Sequence, residues 1–517
     1  MTISGGVVTA TGRGYGTGIG GGGSSSSSYL GSGGDITISG GVVTATAGGG
    51  GAGIGGGNLQ DGGVILISGG TVNAAGQNGA GIGGGYGGTV GGSGGVITIS
   101  GGFVTASTSG TYSSPAAIGG GANGVTGAVS ITGGAVVALA PAGWPSIGGS
   151  KSGGSITITG GTVIGVGAGI GAGSSPAPSI VSPTVVMATS AKNATSSGAN
   201  GQLYGADVTI SADSKTITLK ADLTVPVGGT LTIPPGWTLI VADPHTLDIA
   251  AGAELDIWGQ LDVESGATIA NQGDVIVEDG ATVNIDGGRT GDLLRGAPVA
   301  GAVTLDSRTT TSLTVNPVSI AAATGQDVEY GIATTDTVPS GSWQSTTTFD
   351  NLTSGTTYHV FARSAANSDF SAGPAQYGQF ETVADVTVGL LTVGGVVAPV
   401  VGGVPVSVVA ETDQYTGSVV WSPVVGSGGF APGVEYVATV TLVAKPGFTF
   451  VGVGEDAFEV VGAVGSVNSA GSGTIRATFA RTDVTVGLLT VGGVVAPVVG
   501  GVPVSVVAET DQYTGSV

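Results

Sequence analysis

The sequence contains no cysteine, so disulfides and thiolate metal sites are excluded outright. Histidine is nearly as scarce: His245 and His359 are the whole supply, which leaves little room for imidazole chemistry. Lysine and arginine number 12 against 33 carboxylates, a formal charge of −21. A phosphate backbone needs clustered cations, so nucleic acid is not expected as a partner. No apolar run reaches the roughly eighteen residues that a membrane-spanning helix requires, and no membrane span is expected. The opening MTISGG lacks the basic stretch and apolar core of a secretion signal. Glu, Lys, Leu and Gln are sparse, so local preference runs to strands and turns and the fold class expected is all-β.

What the chain has instead is glycine, 106 of its 517 residues, with valine, alanine, threonine and serine making up much of the rest. Its length calls for several domains. Charge is unevenly placed. Residues 1–173 carry only Arg13, Asp35, Asp61 and Lys151, whereas the next 130 carry fourteen carboxylates, so the two regions present different surfaces.

Self-similarity organises residues 1–173. A Ser-Gly or Thr-Gly pair begins at Ser4, Ser39, Ser68, Ser100, Thr132 and Thr159, and an Ile next to glycine recurs at Ile19, Ile54, Ile82, Ile118, Ile147 and Ile170. Within Ile36–Gly57, ITIS alternates apolar and polar, Gly40-Gly41 interrupts, VVTAT alternates again and AGIGGG follows. A period of two means strands. Strands so short hold only when each pairs with its copy in the next repeat, which stacks Ile and Val into a column. A parallel β-solenoid of six repeats is expected, with glycine pairs at its corners. The insertion Gly20–Gly34 reads as a bulging loop, and Pro141, Trp144 and Pro145 mark a distorted coil. A Gly/Ser linker is the bland alternative; the regularly spaced β-branched residues argue against it.

These units resemble a family of bacterial extracellular β-helix repeats often labelled carbohydrate-binding. The resemblance implies a right-handed, pectin-lyase-like helix with glycan and calcium affinity. Two aspartates in six repeats do not by themselves supply a calcium site, so the residues call for no cofactor and calcium enters only through the resemblance.

Residues 174–202, rich in Ser, Ala and Pro, read as a linker. From 203 to 300 a second, shorter-period solenoid is expected, because glycines at 252, 259, 266, 273 and 280 fall seven apart, with roughly three strands per coil. Asp248, Asp256 and Asp262 sit between apolar neighbours in its strands and should face solvent. They are candidate ligands for calcium or a sugar, although successive strands of one coil face different ways. A solvated acidic face is the alternative. Trp237 and Trp258 are candidate platforms for sugar rings, or aromatics buried at coil corners.

In residues 301–384 the segment FDNLTSGTTYHVFARSAANSDFS resembles a fibronectin type III domain. The resemblance implies that Tyr358 is a corner tyrosine bonded to nearby backbone, that Trp343 packs in the core and that His359 faces outward. Residues 385–482, with Trp421-Ser-Pro, a strand Tyr436–Ala444 and Lys445-Pro-Gly-Phe-Thr-Phe450, resemble the tandem immunoglobulin-like modules of bacterial surface proteins, often found beside S-layer homology domains. Asp483–Val517 repeats Asp385–Val419 without a difference, 98 positions on. The first solenoid thus begins inside a repeat and the last module stops midway, so a continuing natural protein is expected. Residues 483–517 are expected to be poorly ordered or to pair with a neighbour.

Gly18–Gly23 satisfies GxGxxG, but no helix pattern follows it, and GGSKSGG around Lys151 lacks the Gly-Lys-Ser/Thr of a phosphate loop. A β-helix lyase needs a Lys or Arg base and a hydrolase two facing carboxyls. No basic residue occurs between Lys220 and Arg289. The expectation is a non-enzymatic cell-surface or secreted protein, an adhesin or glycan-binding stalk whose partner is a polysaccharide or a cell-wall or host glycan. A structural spacer is the alternative, followed by a polysaccharide lyase or hydrolase, and by ice binding through Thr9, Thr11, Thr44 and Thr46.

Overall fold

The computed structural model describes residues 1–25, 32–110, 114–483 and Val499, so the tip of the Gly20–Gly34 insertion and all of 484–517 except Val499 lie outside the described residues. The fold is all-β. Among the described residues the helical elements are two three-residue 3₁₀ turns, Gly198–Asn200 and Gly205–Asp207. The chain separates into two compact units. One comprises Met1–Thr304, Asn316–Thr347 and His359–Gly378; the other comprises Leu305–Val315, Thr348–Tyr358 and the residues from Gln379 onward.

The first unit opens with the expected parallel solenoid. Thr2–Thr11, Asp35–Thr46, Val64–Gly76, Val96–Ile99 with Phe103–Thr108, Ala128–Leu139 and Ser155–Val166 stack in one sheet, one rung per repeat. Ile3, Ile38, Ile67, Ile99, Ile131 and Ile158 fall in register and form a buried column. The isoleucines of the second landmark line a narrower sheet opposite, from Ile19 to Ile170. Each such side chain taken out of water is worth about 1.5–3 kcal/mol, which is how strands too short to persist alone are held. The glycine pairs end a strand as expected only in the fourth rung, between Val96–Ile99 and Phe103–Thr108; in the other five the strand runs through. Asp35–Thr46 runs through Ser39-Gly40-Gly41 with a slip in register there, and Gly41, at φ 85°, re-aims the strand so that Ile38 and Val43 both point inward.

Glycine matters most in the narrow sheet. Gly20, Gly55, Gly83 and Gly119 lie at φ of 124–134°, and a Cβ on any of them would overlap the backbone carbonyl oxygen of the next rung. The coils therefore touch backbone to backbone along this edge, and the GIGGG signature is a packing requirement.

Residues 174–202 are not a linker. Ser179–Ile180 and Val185–Ala188 pair parallel with Ser155–Val166, and Gln202–Tyr204 pairs with Val185–Ala188, continuing the sheet. The reason lies in two-faced burial. Early rungs alternate, as in VVTAT, because their outer face meets water. In Ala135–Ala138, Thr162–Gly165 and Val185–Ala188 every residue is buried. Val136, Val163 and Val186 enter the first core, and Val137, Ile164 and Met187 enter that of the second solenoid. Strands covered on both faces lose their alternation, which accounts for the drift in the fifth and sixth repeats.

The second solenoid has three strands per coil. Its faces are the sheets Thr216–Leu219, Thr238–Val241, Gln260–Val263 and Thr282–Ile285; Leu223–Val225, Thr246–Ile249, Thr268–Asn271 and Gly288–Gly291; and Thr230–Ile233, Glu254–Ile257 and Asp274–Val277. It does not end at residue 300. Ala323 bridges to Thr282, the Leu294 N–H bonds the Asp369 carbonyl at 2.9 Å, and Leu294, Ala297, Ala322 and Phe370 complete its core. Segments from the expected fibronectin-like module thus close the last coil, satisfying backbone groups that an open solenoid end would leave bare. Nearby, Val328–Ala333 pairs antiparallel with His359–Ser364. Trp343 is not a core residue. It is half-buried under the Arg363 guanidinium, 3.7 Å from the ring centroid, and Arg363 is itself held 2.6 Å from Glu329. His359 lies edge-on to Tyr377.

In the second unit Leu305–Arg308, Leu313–Val315 and Thr348–Phe349 form an antiparallel sheet. The Tyr358 hydroxyl accepts the Thr353 N–H at 3.0 Å. Residues 385–482 build a four-stranded antiparallel sheet, Tyr415–Ser422, Val437–Ala444, Thr474–Thr478 and Gly465–Asn468, over a core containing Tyr415, Trp421, Phe430, Tyr436, Phe458 and Phe479. Tyr436 accepts the Ala431 N–H at 2.9 Å, the same five-residue reach as Tyr358.

Candidate functional site

The carboxylates of the second solenoid follow from its strand pattern. In Thr246–Ile249, Glu254–Ile257 and Gln260–Val263 the second and fourth side chains point inward, so the polar third residue is pushed out. Because successive strands belong to different sheets, the three candidate aspartates occupy three faces. Asp248 lies between Thr224 and Ala270 and takes a 3.4 Å hydrogen bond from the Thr224 hydroxyl. Asp256 lies between Thr232 and Ile276. Asp262 lies between Ile240 and Asn284. The three do not converge, and among the described residues no group of three His, Cys, Asp or Glu is placed to hold a metal ion.

Trp237 is a core residue, 4% exposed, at the end of a turn in which its N–H bonds the Pro234 carbonyl. It offers no face to a sugar. Trp258 is half-buried and already engaged: its Nε1–H donates to Asp256 at 2.8 Å and its ring meets Phe103 edge-on at 5.1 Å. Phe103 belongs to the outward row Phe103, Ala135, Thr162 of the first solenoid. The Thr162 hydroxyl bonds the Thr230 carbonyl at 2.9 Å and the Thr232 N–H at 2.7 Å, tying that row to the Asp256 face.

Burial changes the acids on this face. Asp256 is pushed above the usual carboxylate range by burial, an effect the Trp258 hydrogen bond partly offsets, and its Oδ1 is buried without a hydrogen-bond partner. Glu254 and Glu278 are raised too, first by burial and then by neighbouring carboxylates including Asp256. Folded carboxyls that hold protons to higher pH than unfolded ones bind more protons between the two pKa ranges, so stability falls as pH rises through that window. Acidification from neutral pH toward the ordinary carboxylate range should therefore raise the melting temperature of the second solenoid, and Asp256→Asn should flatten the dependence. A midpoint that climbs with pH over this interval, alike in both proteins, would contradict the assignment.

A different group surrounds Asp262. Gln260 Nε2 donates to both its oxygens at 2.8 and 2.9 Å, and Asn284 Nδ2 donates at 2.7 Å. Asp262 and Asn284, with Glu264, Asp286, Ile240 and Val263, line an open depression of about 410 Å³. Sequence reading singled out Asp262 alone. The 22-residue spacing from Asp262 to Asn284 is the signal that joins them, because it is the length of one coil on this face. On the first solenoid, Thr9, Thr44, Asn73 and Thr105 occupy one outward row, so the threonine ladder is interrupted in its third rung.

A family model described as a beta helix repeat matches residues 2–23, 36–58, 65–86 and 97–122, the first four rungs of the solenoid. No curated protein matches the chain. Among the described residues no helix is long and apolar enough to cross a membrane.

Proposed function

We propose that this chain is a non-enzymatic, modular stalk of a secreted or cell-surface protein, in which a parallel β-solenoid is followed by fibronectin III-like and immunoglobulin-like modules. The observation that carries this reading is the fate of the candidate binding groups. Trp237 is spent in the core, Trp258 on Phe103 and Asp256, and the three aspartates on three separate faces. The corner hydrogen bonds of Tyr358 and Tyr436 support the sandwich assignment of the later modules.

Glycan binding is the second reading, favoured by one feature: the Asp262 depression presents planar amide and carboxylate groups of the kind that recognise sugar hydroxyls. A glycan array probed with the whole chain, with and without calcium, separates the two. A stalk gives uniform absence of signal. Binding that is lost in Asp262→Asn and Asn284→Ala supports an adhesin. Turnover of an acidic polysaccharide, abolished by Asp256→Asn, would overturn the non-enzymatic reading altogether.

A further inference from the structure

Asp385–Val419 and Asp483–Val517 are identical in all 35 positions, and the structure shows what the first copy does. Val386–Thr387 pairs with Phe448–Thr449, Thr392–Val393 with Glu459–Val460, and Tyr415–Val419 with Val440–Ala444. Val388, Val393, Val396, Val409, Tyr415 and Val419 are buried in the module core, and Glu411 holds Lys445 at 2.6 Å. Residues 420–482 therefore form an acceptor surface specific for this segment, with three edges to pair, an apolar trough and a cation. Every group that the segment brings to it has a counterpart in the second copy, including Val491 for Val393, Glu509 for Glu411 and Tyr513 for Tyr415.

We propose that this surface is an exchange site between copies of the chain, accepting Asp483–Val517 of a second copy in the place of Asp385–Val419. The segment that enters pairs, packs and charges the acceptor just as the departing one did, so no interaction energy discriminates against the exchange. What favours the resident segment is its direct link to residue 420, which gives it a high effective concentration. Mass action then decides: exchange grows with chain concentration and is fastest when both segments are released together, as during refolding. Acceptor and donor are different segments of the chain, so the contact is heterologous and either closes as a ring or propagates.

The cysteine-free background makes the test direct. Thr416 and Val443 are exposed and directly opposite across the ladder, and Thr514 is the counterpart of Thr416. V443C and T514C chains spanning residues 1–517 are unfolded, mixed, refolded at rising concentration and oxidised. A disulfide joining positions 443 and 514 of different chains is expected, increasing with concentration. Val491→Asp leaves residues 385–482 untouched and places a charge where Val393 is fully buried, so it should cut the yield about tenfold or more. T416C/V443C, which closes within one chain, reports that the module has folded. Absence of the mixed disulfide while that control closes overturns the proposal. So does a 443–514 link confined to single chains carrying both substitutions, or a yield indifferent to Val491→Asp.

Discussion

Replacing Gly83 by alanine is expected to cost the first solenoid roughly 3 kcal/mol or more, an unusually large penalty for a single methyl group. Two effects combine. Gly83 lies at φ 134°, which a side chain makes costly, and its Cβ would overlap the Gly119 carbonyl oxygen, a backbone atom that cannot rotate away. Relief requires the rungs to part, and parting them weakens the Ile82 to Ile118 pairing beside the clash. Gly88→Ala is the matched control: its Cβ would meet nothing nearer than the Tyr86 hydroxyl at 4.0 Å, and no positive φ stands in the way. Denaturant unfolding, or hydrogen exchange across Val64–Gly76, should separate the two variants plainly. Equal midpoints would show that the coils do not abut as described.

Trp237→Ala should be nearly as severe, at about 3–5 kcal/mol, because a fully packed indole leaves a cavity that its strands cannot close. Trp237 belongs to the same core as Leu239, Leu255 and Leu261 and closes the corner between two faces of the coil. Trp258→Ala removes a half-buried ring and its hydrogen bond to Asp256, for which about 1–3 kcal/mol is expected. The order of the two distinguishes a core tryptophan from a surface one. A Trp237→Ala protein with native stability and lost glycan binding would reverse both the burial and the function assigned to that residue.

The difference between these tryptophans was not legible in the sequence, and the reason is local. Each sits beside a glycine at a corner, where the alternation that assigns inside and outside has lapsed. Where alternation held, it was reliable: ITISGG, TLDI and QLDV place their apolar residues inward on every rung. Residues 174–202 were misread for the opposite reason. Val185–Ala188 is apolar on both faces and carries neither the Ser-Gly nor the Ile-Gly mark, so nothing in it announces a rung. The closure of the second solenoid by Ala322 and Phe370 rests on contacts between residues about 40 to 75 positions apart, as from Thr282 to Ala323 and from Leu294 to Phe370. Only the folded chain reveals those. The acidic face beside Trp258 belongs with them: the carboxylates were visible, but the burial that raises the affinity of Asp256 for protons was not.

The backbone contact along Gly20, Gly55, Gly83 and Gly119 also bears on what this architecture is good for. A rung consumes 27 to 35 residues, yet advances the stack by a single strand spacing of about 4.8 Å. The same residues drawn out straight would reach roughly 100 Å. A segment built to hold something at a distance would not be made this way. What each added repeat yields is width, a further row of about ten residues on a stiff, nearly uncharged plane whose spacing is fixed by carbonyls. The first solenoid is best regarded as a tile whose area grows by duplication.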